Sequence, residues 1–196
     1  MNDYDSLLKI CKSRKSLRKF SNKKVNQEDL DKIIEVAFTS PYASGKKNWD
    51  ILTITDAALK NNIAELVKKE CEEKASLINP SMKEYFINYS KSFSFFAGAP
   101  VLLIPVFRIS TPLSMMLGTS DNEVFLWERD SFVKSIACVS MLILLACESL
   151  GLGACYVTGA LIAEKEIARL LDLPEGQNIG AIIPVGYALE KNSTNC

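Results

Sequence analysis

The sequence predicts an α+β fold of packed helix and sheet layers, and three observations carry that expectation. Helical and strand-like segments follow one another without the regular alternation of a doubly wound sheet. A continuous apolar run, VLLIPV at residues 101–106, has the length and composition of a strand buried on both faces. A long helical segment at 123–150 is apolar nearly all round from Ile136 onward, so it should pass through the middle of the assembly. With 196 residues, 48% hydrophobic and 23% charged, the chain reads as one globular domain over residues 1–196.

The elements follow in order. Residues 4–11 place Leu7, Leu8, Ile10 and Cys11 at helical spacing, and a basic stretch at 12–19 follows. Asn26 can cap a second helix whose apolar face is Leu30, Ile33, Ile34, Ala37 and Phe38, with Pro41 just past its end. Residues 49–55 read as a strand, because Ile51, Thr53 and Thr55 alternate with Leu52 and Ile54. From Asp56 the spacing of Leu59, Ile63, Leu66 and Val67 is helical, with a solvated charged face at 68–74. Pro80 opens a helix expected to run through Phe96, rich in aromatic residues, and Gly98-Ala99-Pro100 ends it before the apolar strand. Residues 108–122 lack periodicity and read as a long loop of the kind used for lids or binding surfaces. The long helix stops at Gly151 and Gly153. A short strand at 154–157, a helix at 163–171 and an apolar strand at 179–185 complete the expectation.

Composition narrows the chemistry. Lys and Arg number 23 against 23 Asp and Glu, so no global positive field draws in nucleic acid or an anionic membrane, and any anion site must be local. The amino terminus has neither a basic start nor an apolar targeting core, and the apolar run at 136–147 is too short for a bilayer. Together with six cysteines that lack any CxxC pair, this makes the cytoplasm the expected compartment. The chain contains no histidine, which removes the commonest neutral-pH base and the commonest transition-metal ligand. If it is an enzyme, a bound organic cofactor carries the difficult step.

Three constellations can hold such a group. Arg14-Lys15-Ser16-Leu17-Arg18 offers guanidinium forks and a hydroxyl suited to phosphate oxygens, although a basic surface turn would look the same. Residues 40–49 (SPYASGKKNW) form a loop of turn formers and polar donors that can line a polar ring or simply connect helix to strand. Residues 151–159 (GLGACYVTG) let the backbone approach a flat ligand closely, and lack the strand-before, helix-after context of a dinucleotide fingerprint.

In this order and at these separations, the three segments resemble the flavin-binding nitroreductase family over nearly the whole chain. The resemblance implies a mixed, largely antiparallel central sheet flanked by helices, with the long buried helix at a homodimer interface and FMN held there. Arg14, Lys15, Ser16 and Arg18 fall on the family's phosphate-binding positions. Pro41, Tyr42, Ala43, Lys47 and Asn48 fall on the loop that borders the flavin from the partner subunit, where Pro41 and Trp49 match the pattern. Tyr42 stands there for a small residue, Gly45 for asparagine, Lys47 for glutamine and Asn48 for proline. Tyr156, Val157, Thr158 and Gly159 fall where the backbone meets the isoalloxazine, with the Gly159 amide facing its reactive nitrogen. The tail after Tyr187 keeps only Lys191 as a basic residue, where family members often complete the phosphate site.

The resemblance further implies ping-pong chemistry, in which NADH or NADPH reduces the flavin and a nitroaromatic or quinone-type acceptor then takes the electrons. Protein residues position rather than react, and no catalytic side chain is expected. Tyr42, Phe93 and the 108–122 loop are candidates to shape the substrate pocket. Alternatives are a flavin storage or sensor protein without turnover, a reductive dehalogenase or flavin-dependent oxidase on the same scaffold, and a purely structural α+β domain.

Overall fold

A computed structural model describes residues 2–43, 48–118 and 121–189. Helix α1 (Asp3–Ser13) is capped by Asn2, and α2 (Gln27–Ala37) by Asn26, whose side chain accepts from the Asp29 amide at 2.7 Å. Strand β1 (Trp49–Ile54) leads through the Asp56 cap into α3 (Ala57–Leu77), followed by α4 (Pro80–Ser90). Strand β2 (Val101–Arg108), α5 (Pro112–Leu117) and α6 (Asn122–Ser149) come next. The chain closes with β3 (Gly153–Ala154), α7 (Glu164–Leu170), β4 (Gln177–Ile179) and β5 (Ile183–Gly186).

The sheet runs β1-β2-β5-β3, with β4 also on β2, and every ladder is antiparallel; one isolated parallel bridge joins Ser16 to Ala154. As the apolar run requires, β2 is central and buried on both faces. Val101, Leu103 and Phe107 pack with α2 and α6, while Leu102, Ile104 and Val106 pack with α3 and the segment after β3. The arrangement is therefore α+β in three layers, with the sheet in the middle.

Four expectations are corrected. The 80–96 helix stops at Ser90 and continues as two 3-10 turns, Lys91–Phe93 and Phe95–Gly98. Ser94 (φ −120°) breaks the helical path, which lets Phe93 and Phe96 both reach the core. The 108–122 loop contains α5, whose N-terminus is capped from outside by Glu128 of α6. Its carboxylate accepts from the Leu113 amide (2.7 Å), the Ser114 amide (3.3 Å) and the Ser114 hydroxyl (2.6 Å).

The 179–185 strand is two strands. Pro105 of β2 has no amide hydrogen, so the ladder on that flank lacks a donor there, and three residues (180–182) bulge opposite two. Gly180 then donates to the Pro105 carbonyl at 2.7 Å. The strand expected at 154–157 is shortened to Gly153–Ala154, with Val157 forming a single bridge to Ile182.

Helix α6 ends in a Schellman turn. Gly151 (φ +72°) donates to Glu148, and Leu152 donates to Cys147. By length and composition α6 is apolar enough to cross a membrane, yet it packs on α2 and the sheet through Phe132, Ile136, Val139, Ile143 and Cys147. Its outer face remains apolar and uncovered, with Ala137, Cys138 and Met141 exposed.

Candidate active site

The Schellman turn delivers the chain from α6 into the 153–159 segment, and that segment meets the basic one. Leu17 donates its amide to the Ala154 carbonyl at 3.0 Å, and Ser16 bridges Ala154. Two adjoining hollows result. A cavity of about 160 Å³ gathers Arg18, Phe93, Tyr156, Val157, Thr158 and Gly159, with Tyr89, Ser92, Phe95 and Cys155 completing its wall. A second, of about 250 Å³, is lined by Lys15, Ser16, Gly151 and Gly153 together with Glu148. Arg14 lines neither hollow, although its backbone closes the end of α1 through a bond to Ile10.

The electrostatics favour an anion beside a planar group. Among the described residues, Arg14, Lys15 and Arg18 enter no ion pair and no side-chain hydrogen bond, so their donors are uncommitted. Glu148 opposes an anion in the Lys15 hollow, whereas the hollow that Arg18 lines contains no acidic residue among the described residues. The Gly159 amide has no acceptor among the described residues, at the start of a 3-10 turn whose first closing bond is Leu161 to Thr158. The Phe93 ring packs against Gly159, so close that a side chain there would collide with it. Burial raises the Tyr156 phenol above its ordinary range, and a hydrogen bond with Ser140 partly offsets the rise.

The described residues of the 40–49 segment lie elsewhere. Ala43 donates to the Ser135 hydroxyl of α6 at 3.0 Å, and Tyr42 packs on Trp49 (5.8 Å between ring centroids) and Phe132 (6.0 Å). Pro41 is exposed, Asn48 bonds to the Arg108 carbonyl at 2.8 Å, and Lys47 lies outside the described residues. Among the described residues, the buried Tyr42 hydroxyl, Asn48 Oδ1 and Trp49 Nε1 have no hydrogen-bond partner. Atoms of this kind are normally satisfied, so they point to a group that completes them. Along α6, Ser135 stands roughly 20 Å from the helix end that feeds the 153–159 segment.

The sequence therefore named two motifs that the structure joins, Arg18 with Tyr156–Gly159, and a third that the chain holds apart. It did not assign Ser92, Phe95, Cys155 or Glu148 to the site. Glu148 stands three residues before Gly151 and so shares the helix end that the glycines mark.

The Nitroreductase family model matches residues 11–187. The chain belongs to the Nitroreductase family. A relative from Methanothermobacter thermautotrophicus, which carries the name NADH dehydrogenase/NAD(P)H nitroreductase, is 29% identical over 96% of this chain and 80% of its own length. An iodotyrosine deiodinase from Thermotoga neapolitana is 26% identical over 92% and 88%. Among solved structures, a BluB-like flavoprotein from Clostridium difficile has a TM-score of 0.82 at 24% identity, covering 100% of this chain and 94% of that one. A nitroreductase with bound FMN from Desulfitobacterium hafniense has a TM-score of 0.71 at 19% identity, covering 100% and 92%. At these identities the two structures establish the nitroreductase-like fold.

Proposed function

We propose that this protein is a cytoplasmic, homodimeric FMN-dependent oxidoreductase that uses NADH or NADPH to reduce a small organic acceptor of the nitroaromatic or quinone type. The observation that carries the reading is the meeting of Arg18 with the 156–159 segment at one cavity, beside the Lys15–Ser16 hollow. The FMN-bound neighbour and the relative named for NAD(P)H nitroreductase support it.

The residues present suit FMN. Arg14, Lys15, Ser16 and Arg18 would hold its phosphate through charge-assisted bonds. The free Gly159 amide would donate to the ring, with Tyr156, Val157 and Thr158 beneath it and Phe93 excluding water. When bound, FMN supplies the hydride transfer between nicotinamide and acceptor, and no histidine is needed for it. The protein's task is to orient the two substrates in turn and keep the site dry.

A cavity of about 160 Å³ is below the ~300 Å³ at which ligand pockets begin, so one protomer supplies only part of the wall. A second copy supplies the rest. In an antiparallel two-fold contact centred near Met141 on the uncovered face of α6, Ser135 of one protomer lies opposite the α6 end of the other. That brings Pro41, Tyr42, Ala43 and Asn48 to the partner's 156–159 segment, where the Tyr42 and Trp49 donors find a ligand. The same free-thiol set that suits the cytoplasm includes Cys138 on this face.

The test is the visible spectrum of the purified protein with FMN, followed by anaerobic NAD(P)H. A flavin spectrum that bleaches, and recovers when a nitroaromatic or quinone is added, supports the proposal. Bound flavin that does not bleach leaves storage or sensing, and no flavin binding overturns the reading. Reductive dehalogenation is the second reading, favoured by the deiodinase relative; recovery of the spectrum with an iodophenol, and not with a quinone, would select it.

A further inference from the structure

A separate cavity of about 600 Å³ lies between the segment after the basic motif, the end of β1, the first turn of α3 and the turn that enters β2. Lys60 forms part of its wall. That residue is only 5% exposed, and its ammonium donates to the Ala99 carbonyl at 2.6 Å and the Pro100 carbonyl at 2.8 Å. An ammonium has three donors. The third has no partner among the described residues, and no carboxylate lies within ion-pair distance. Asp56, the nearest acid felt by Lys60, is spent on capping α3 through the Leu59 amide at 2.6 Å.

The rest of the lining has the same character. The Ser21 and Thr55 hydroxyls, the Asn22 amide and the Lys24 ammonium make no side-chain hydrogen bond among the described residues, and no acidic residue lines the cavity. The space beside Gly98 is open, with no atom within 4 Å of where a Cβ would stand. The cavity thus offers two ammonium groups and uncommitted hydroxyl and amide donors, has no carboxylate among the described residues of its lining, and is built around a buried cation. Burial pulls the Lys60 ammonium below its ordinary range, against a smaller opposing pull from Asp56, as expected of a charge lacking its counter-ion.

We propose that this cavity is a second anion site, which takes a small ligand through a phosphate or carboxylate group bound by Lys60 and Lys24 with the Ser21 and Thr55 hydroxyls. It shares no lining residue with the two hollows at the 14–18 and 153–159 segments. The proposal stands whether or not the protein binds flavin.

The experiment is calorimetric titration of the full chain, saturated with FMN where it binds, with inorganic phosphate, glycerol phosphate and acetate in turn. Phosphate binding that persists in Arg14→Ala/Arg18→Ala and weakens about tenfold in Lys24→Ala, the loss expected for one charge-assisted bond, supports the site. Lys60→Met should abolish it, with circular dichroism confirming the fold, and Ser21→Ala provides a milder variant should Lys60→Met fail to fold. A preference for glycerol phosphate over phosphate identifies an organic phosphate as the ligand; binding of acetate alone identifies a carboxylate. No heat with any of the three anions at millimolar concentration overturns the proposal, as does binding that vanishes in the double arginine variant or ignores Lys24→Ala and Ser21→Ala.

Discussion

Leu17 occupies the space that a side chain on Gly153 would need: a Cβ there would lie 2.8 Å from the Leu17 Cβ and 3.0 Å from its Cγ. With the Leu17 amide bonded to Ala154, this contact fixes the basic segment against the end of α6. Gly153→Ala should cost about 1–3 kcal/mol of stability, as overpacking does. It should also weaken FMN binding, because Arg18 and Lys15 move with Leu17. Denaturant melts and flavin titration check both, and a variant that melts like wild type would show that Leu17 does not hold the segment.

Arg18 is exposed and unpaired among the described residues, so its removal should leave the flavin-free protein as stable as before. Arg18→Ala should weaken FMN binding by roughly 1.5–3 kcal/mol, the value of a hydrogen bond to a charged group. Riboflavin, which has no phosphate, should bind both proteins equally. Equal losses for the two flavins would move the phosphate away from this cluster.

Tyr42 carries a buried hydroxyl with no partner among the described residues, and burial pushes its phenol from 10.0 up to about 12. The folded value lies above the unfolded one, so the contribution of the neutral phenol is complete below pH 10 and is lost as pH rises toward 12. Tyr42→Phe should therefore flatten the fall in stability across that window. At pH 7, without flavin, it should be neutral or stabilising by up to about 1 kcal/mol. Parallel pH profiles for the two proteins would mean that the hydroxyl is satisfied in solution.

Met141 is half exposed at the middle of the apolar outer face of α6. A charge there should be tolerated by a lone protomer and rejected by a dry interface. Met141→Glu should convert dimer to monomer in light scattering and lose flavin, while circular dichroism stays unchanged. A dimeric Met141→Glu protein would place any self-association on another face.

Much of this architecture was legible because local signals and packing agree. Asn26 caps the helix that Leu30, Ile33 and Ala37 bury, and β2 is as central as its apolar run implies. What escaped depends on residues distant in sequence. No periodicity within 108–122 announces α5, because Glu128 supplies its cap from the next helix. The break between β4 and β5 is imposed by Pro105, on a strand more than seventy positions earlier, and the aromatic run through Phe96 conceals the kink at Ser94. For the site, motif order placed Arg18 near Tyr156–Gly159. It could not show that Tyr42 packs about half a long helix away, since that distance is set by Ser135 and Phe132.

The stitching of Leu17 to Ala154, together with the bridge from Phe20 to Ala188, has a bearing on biosynthesis. Residues 17 and 20 find these partners only 137 and 168 positions further along the chain. A nascent chain can form α2, β1 and α3 while translation continues, yet its 14–18 segment has nothing to close against until β3 emerges. A chain that stops short of β3 would lack the contact that fixes the 14–18 segment, so the two halves of the hollow become one surface only in a chain that reaches it.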